Sequence, residues 1–173
     1  MYAEGKGAMK PHCYRKVKGK PYTRKEYIRG SPPPKISKFT MGKPNASFEY
    51  QVYLIAKEEA QIRHNALEAA RTAVNRLLSV KLGDNYFLRV LPYPHQVLRE
   101  NKMIFGAHAD RLQDGMRGAF GKPTGYAAQV KVDQYLIAVG VNEDGLEVAK
   151  QALKLGADKF PISCRIKVEK VMD

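Results

Sequence analysis

The stretch over residues 100–125 combines glycine and arginine in a pattern suited to contact with a polyanion. Gly115, Gly118 and Gly121 recur every three residues, and glycine lets a backbone approach a bulky partner closely. The basic residues among them are Arg111, Arg117 and Lys122. An arginine guanidinium makes planar, bidentate contacts with phosphate. Connections longer than about 15 residues are usually functional or disordered, so the sequence predicts a functional loop, with a mobile solvated loop as the alternative.

A second concentration of charge lies at the N-terminus. Residues 1–43 hold twelve basic and two acidic side chains, a charge of +10 out of the +13 of the whole chain. Tyrosines are interleaved with the basic groups, which is typical of segments that neutralise phosphates and stack on bases. The alternative is a solvated, disordered basic tail. We predict an RNA-binding arm that becomes ordered on nucleic acid, with contacts from Arg15, Lys16, Lys20, Tyr22, Arg24, Arg29 and Lys35.

Composition narrows the class of protein further. The chain has 173 residues, of which 44% are hydrophobic and 27% charged, enough for one domain with a substantial core. The excess of basic groups favours a polyanionic partner over an acidic ligand or calcium. The sequence contains no run of about 18 apolar residues, so no membrane-spanning helix is expected. The N-terminus lacks the apolar core of a signal peptide. Cys13 and Cys164 are far apart, which favours a reduced, cytoplasmic protein.

Motifs for catalysis or metal binding are weak. Gly121 and Lys122 are followed by Pro123 where a phosphate-binding loop needs Ser or Thr. The four histidines show no metal-ligand spacing with either cysteine. Cys164 alternates with apolar neighbours, so it is predicted to be a small core residue and not a nucleophile. Asp110 is part of the one candidate carboxylate pair, and its arginine neighbours favour an ordering role. The sequence therefore predicts no catalytic residue, metal site or cofactor.

The elements that must position these segments read as an α+β domain over residues 44–173. Residues 48–56 are predicted to be a strand with a core face of Phe48, Tyr50, Val52 and Leu54. The first predicted helix is residues 57–80, with an apolar stripe of Ile62, Ala66, Ala69, Ala73 and Leu77 and with Gly83 as its terminator. The second is capped by Asn142 and ended by Gly156. Strands are predicted at residues 86–91, 95–99 and 162–168, with a hairpin of residues 126–132 and 135–141. The economical packing is a mainly antiparallel sheet with two helices on one face. The arm has too few apolar residues for a core, so the body is expected to fold without it.

One motif carries a resemblance to a known family. Residues 109–123 read ADRLQDGMRGAFGKP, preceded by PHQVLRENKM at residues 94–103. With these motifs, the chain resembles the universal large-subunit ribosomal protein family called L-sixteen in bacteria and L-ten-e in archaea and eukaryotes. Asp114 departs from the family, where Thr is common. The extended arm is typical of archaeal members.

The resemblance implies an α/β-hammerhead fold and a structural role in the large ribosomal subunit. Family members bind large-subunit ribosomal RNA, adjoin other ribosomal proteins and point a long loop towards the tRNA acceptor arms, helping to position tRNA. Arg99 and Lys102 would lie at the base of this loop, and Arg15, Lys20 and Arg29 in an RNA-clamping arm. The tRNA-proximal residues would be Ala107, His108, Asp110, Arg111, Gln113, Gly115, Met116, Arg117, Gly118, Phe120 and Lys122. The alternatives are an accessory of an RNA-modifying enzyme and a free-standing RNA-binding protein.

Overall fold

A computed structural model describes residue 17 and residues 24–44, 47–100 and 121–171. Most of these residues form strands and helices, in an order that confirms the predicted α+β class. The strands are β1 (Thr40–Gly42), β2 (Tyr50–Ala56), β3 (Ala60–Arg63), β4 (Phe87–Val90), β5 (Gln96–Glu100), β6 (Lys122–Val130), β7 (Tyr135–Val141) and β8 (Cys164–Lys170). The α-helices are α1 (His64–Leu82) and α2 (Leu146–Ala157), with short 3-10 turns at Lys25–Tyr27 and Glu143–Gly145.

The larger sheet is fully antiparallel and has the strand order β1-β4-β7-β2-β8. Helices α1 and α2 pack against each other and against this sheet. The core between them is aliphatic: Leu54, Leu67, Ile137 and Leu153 are all at most 1% exposed. Burial of such side chains is the main stabilising term of the fold. Phe48 and Tyr50, predicted on the core face of β2, are only half-buried.

The remaining strands form a second antiparallel sheet of order β3-β6-β5. Two sequence predictions are wrong here. The helix predicted from residue 57 begins only at His64, because Ala60 and Ile62 alternate into the core and pair with β6. The predicted hairpin of β6 and β7 does not form, because the two strands belong to different sheets.

The turn between β6 and β7 is held by hydrogen bonds to the end of β2, and not by pairing between β6 and β7. The N–H of Asp133 donates to the carbonyl of Ala56 at 2.9 Å, and the N–H of Ala56 donates to the carbonyl of Gln134 at 3.0 Å. Asp133 adopts a φ of +61°, a conformation that Asp tolerates better than most residues. The turn therefore passes the chain from one sheet to the other.

Helix α1 turns to the core a face that overlaps the predicted stripe only in part: Ala66 is buried as predicted, and Leu77 packs at the edge of the core. The buried side chains are His64, Ala66, Leu67, Ala70, Val74 and Leu78, whereas Ala69 is exposed and Ala73 and Leu77 are half-buried. The large aliphatic residues Leu67, Val74 and Leu78 determine which face of the helix is buried, and the orientation of the alanines is set by theirs. Gly83 ends the helix as predicted, with a φ of +61° and its N–H bonded to the Ser79 carbonyl.

Helix α2 begins later than predicted. Asn142 makes no side-chain cap hydrogen bond, and the chain first forms the Glu143–Gly145 turn. Gly156, predicted to end the helix, lies buried within it. A Cβ at Gly156 would lie 2.7 Å from the Val74 side chain, so glycine is what permits the two helices to approach this closely. Within the described ranges, no helix is long and apolar enough to cross a membrane.

Candidate nucleic-acid interface

The foot of the long loop is a two-stranded ribbon of β5 and β6. Glu100 pairs with Lys122 and Arg99 with Pro123, after a register shift between Leu98 and Arg99. The Thr124 hydroxyl donates to the Leu98 carbonyl at 3.3 Å. Lys122 was predicted in the loop, but it lies in β6, which begins four residues before the predicted start at residue 126. The loop itself is therefore shorter than predicted and both its ends are fixed to one sheet.

The N-terminal segment reaches the same region. The Ser31 hydroxyl donates to the Tyr126 hydroxyl on β6 at 2.8 Å, and the N–H of Lys35 donates to Nδ1 of His64 at 2.8 Å. Ile36 is 1% exposed and belongs to the main core. Strand β1 then pairs with β4. Residues 31–42 thus pack with the body, although the sequence analysis assigned them to the arm, which it ended at residue 43.

His64 is the junction of these elements. The residue is 6% exposed, and its imidazole lies edge-on to the Tyr126 ring, with centroids 6.3 Å apart. Burial lowers the pKa of His64, and the cations Arg63 and Lys35 lower it further. The ring therefore stays neutral at physiological pH, which keeps Nδ1 available as the acceptor for the Lys35 N–H. Gly125 leaves room for this ring, because a Cβ there would lie 2.7 Å from Nε2.

The described part of the chain holds five of the residues predicted to contact RNA or tRNA. Arg24, Arg29, Lys35 and Lys122 are exposed, and Arg99 is half-buried on β5. The hydrogen bonds of Ser31 to Tyr126 and of the Lys35 N–H to His64 hold this part of the arm against β6 and the start of α1. The other predicted site residues lie outside the described ranges: Arg15, Lys16, Lys20, Tyr22, Lys102, Ala107, His108, Asp110, Arg111, Gln113, Gly115, Met116, Arg117, Gly118 and Phe120.

Sequence reasoning missed the residues that anchor the arm. Ser31, His64 and Tyr126 carry no motif, and His64 was considered only as a metal ligand. Three rings also join the arm to the body: Phe39 stacks on Tyr93 at 5.4 Å, and Tyr93 lies 4.5 Å from His95. A signal existed in Ile36 and Phe39, whose spacing of three marks apolar positions within a basic segment.

The structure also describes Cys164, the residue that the sequence analysis considered as a nucleophile. Burial raises the pKa of the Cys164 thiol to about 12, and the side chain packs against the main core. A thiol with such a pKa is a poor nucleophile at neutral pH, as the sequence predicted. No group of three or more His, Cys, Asp or Glu in the described segments is arranged to hold a metal ion.

Comparison with known proteins agrees with this fold and charge pattern. Residues 17–167 match the family described as Ribosomal protein L16p/L10e. The chain is 56% identical over 162 residues to the large ribosomal subunit protein uL16 of Hyperthermus butylicus, which covers 90% of each chain. The uL16 protein of Saccharolobus solfataricus is 54% identical over 159 residues, covering 90% of this chain and 89% of the relative. That family consists of ribosomal proteins, which confirms the prediction that the chain is not an enzyme. By sequence match and by these archaeal relatives, the chain belongs to the ribosomal protein L16p/L10e family.

Proposed function

We propose that this protein is a structural constituent of the large ribosomal subunit, binding its ribosomal RNA through the arm and extending the loop towards tRNA acceptor arms. Its relatives are named as large ribosomal subunit proteins, which supports the first part. The observation that carries the second is the meeting of arm and loop foot at Tyr126, which Ser31 contacts at 2.8 Å. An arm held by RNA would fix the position of the ribbon from which the loop extends.

In this role the chain would comprise an RNA-binding arm, residues 1–43, and a body, residues 44–173, which carries a functional loop within residues 100–125. Exposed Arg24, Arg29 and Lys35 would neutralise phosphates, which dominate the affinity of such interfaces. Arg99 and Lys102 would act at the base of the loop. No residue is assigned a catalytic role, since the family resemblance implies that RNA carries out the reaction. The protein would work in the cytoplasm, beside neighbouring ribosomal proteins.

The RNA-binding part is tested with a triple variant of the arm, Arg24→Ala, Arg29→Ala and Lys35→Ala. The Lys35 substitution keeps the backbone N–H that bonds His64, so docking of the arm is preserved. If three phosphate contacts are lost, the plot of log K against log salt should flatten by about 2–3. A matched control removes Arg76 and Lys81, two exposed cations on α1. Unchanged affinity of the arm variant for large-subunit RNA would move the RNA contacts elsewhere.

Sedimentation distinguishes the ribosomal role from its alternatives. A subunit constituent should travel with large subunits and leave them only at high salt, because its contacts are mainly ionic. A free-standing RNA-binding protein or an enzyme accessory would remain at the top of the gradient.

The tRNA part is tested by replacing residues 107–120 with a short Gly-Ser link. The ribbon of β5 and β6 remains, so incorporation into subunits should survive at least in part. tRNA affinity and peptide-bond formation are then compared at equal occupancy of wild-type and shortened protein. Weaker tRNA binding is expected, whereas equal values would remove tRNA placement from the proposal.

A further inference from the structure

The helices cover one face of the larger sheet, and among the described residues no helix or strand covers the other face. The core side chains of each strand point towards the helices, and the alternate positions point away. Strand register places five of these outward residues in one row across the whole sheet: Thr40, Arg89, Ala138, Tyr53 and Lys167. The open face therefore has a defined composition, set mainly by strands of the body, with Thr40 of the arm on the edge strand β1.

The centre of this face has small residues on β7, and the Phe48 ring packs against one of them, Gly140, which is buried. Ala138 and Gly140 occupy β7, and a Cβ at Gly140 would lie 3.0 Å from the Phe48 ring. The rings of Tyr53 and Tyr135 meet edge to face with centroids 4.8 Å apart. Tyr135 is 38% exposed, so one surface of this pair is available to a partner.

Cations flank these rings. Lys167 and Arg165 on β8 are 52% and 53% exposed at their side chains. Their carboxylate partners, Glu169 and Asp133, form salt bridges at the surface, which contribute little and exchange readily. Arg89, on the far side of the rings, is exposed and has no ion-pair partner among residues that the structure describes. Three inter-strand spacings of about 4.8 Å put Arg89 and Lys167 about 14 Å apart at the backbone.

We propose that this open face binds an unpaired segment of RNA, with a base stacked on the Tyr135 and Tyr53 pair and phosphates held by Arg89, Arg165 and Lys167. An antiparallel sheet with helices behind it, rings at its centre and cations at its sides suits single-stranded RNA, whose bases stack on aromatic rings. The three cations exceed the two carboxylates, and phosphate can replace either carboxylate. This inference rests on the proposed RNA-binding function and adds a surface formed mainly by strands of the body.

The stacking part is tested on the full chain with Tyr135→Ala and Tyr135→Phe. The probes are large-subunit ribosomal RNA and a single-stranded oligoribonucleotide of about ten nucleotides. Loss of one stacked base, worth about 1–3 kcal/mol, should weaken binding roughly 5- to 160-fold with an unchanged salt slope. Phe keeps the ring and should bind like the wild type. Equal binding by the Ala variant, or equal losses in both variants, would overturn the stacking role.

The charge part uses Arg89→Ala with Lys167→Ala, against the matched α1 pair Arg76→Ala with Lys81→Ala. The sheet pair should flatten the salt slope by about 1.4–1.8, because two phosphate contacts are lost, and the α1 pair should not. Equal effects of the two pairs would mean non-specific attraction, and no effect of the sheet pair would leave this face to a protein neighbour; either result overturns the inference. If the wild-type chain binds no RNA, the proposed function fails as well. If only the arm variant loses affinity, the inference about the sheet fails alone.

Discussion

Replacing Ile36 by Ala should destabilise the whole body, although Ile36 lies in a strongly basic segment. Its side chain is 1% exposed and contacts the main core. The substitution removes three carbon atoms, worth about 2.4 kcal/mol at roughly 0.8 kcal/mol for each buried group. Incomplete collapse of the cavity adds to this, so the expected loss in the free energy of unfolding is about 3–4 kcal/mol. That is a large fraction of the roughly 5–15 kcal/mol that stabilises a domain.

The assay is denaturant unfolding of the isolated protein, followed by far-ultraviolet circular dichroism. The midpoint should fall at an unchanged slope, because the substitution alters stability and not the surface exposed on unfolding. Ile28→Ala is the matched control: Ile28 is half-buried and outside the main core, so its loss should stay below about 1 kcal/mol.

A chain that begins at residue 44 extends the same test. It lacks Ile36 and strand β1 together, so it should be destabilised more than the single variant. Sequence composition alone favoured the opposite result, a body that folds without its arm. If Ile36→Ala lies within about 0.5 kcal/mol of the wild type and the shortened chain unfolds at the wild-type midpoint, the packing argument is refuted.

Three further predictions concern single residues. The pKa of His64 is lowered in the folded protein, so on acidification the unfolded chain binds a proton at this residue before the folded protein does. The contribution of neutral His64 to the free energy of unfolding is therefore complete above about pH 6.5 and is lost as the pH falls towards the folded pKa. The difference in unfolding free energy between wild type and His64→Gln, measured from pH 7.5 to 5, should therefore shrink on acidification, and a constant difference would contradict this. Gly42→Ala should cost more stability than Gly30→Ala in urea unfolding, because both have a positive φ but only the Gly42 Cβ would collide with the Tyr86 carbonyl oxygen, at 2.0 Å. Cys164 in the folded protein should react with iodoacetamide at pH 8 far more slowly than in denaturant, since burial raises the pKa of its thiol; equal rates would mean that the thiol is exposed.

The fold class could be predicted because most helices and strands have a recognisable pattern of apolar residues in their own sequence. The alternation in residues 48–56 and 135–141 gave strands β2 and β7, and Gly83 marked the end of α1. Strand β3 was missed because its four residues run directly into a helix, so the apolar spacing merged with the helical period. The partition into two sheets could not be predicted, since it depends on long-range pairing such as that of Ile62 with Ala128.

The parts of the candidate site that consist of clustered basic residues could be predicted from the sequence. The parts that depend on single long-range contacts could not. Arg24, Arg29 and Lys35 were found from the basic arm, and all three are exposed. The hydrogen bond from the Lys35 N–H to His64 joins residues 29 positions apart, and no local pattern encodes it. The open sheet face was equally hidden, because Arg89, Tyr53 and Lys167 become neighbours only through the register of separate strands.

The strand order of the larger sheet has a consequence for synthesis on the ribosome. Strand β2 lies between β7 and β8, so one side of β2 has unpaired N–H and C=O groups until β8, the last strand in chain order, has emerged. A nascent chain that holds β2 and β7 but lacks β8 presents an open strand edge, which is a template for wrong pairing. A stalled chain that ends before residue 164 should therefore be held by general chaperones or aggregate, whereas one with β8 outside the exit tunnel should not. Completion of the sheet, and with it escape from misassociation, waits for the final strand.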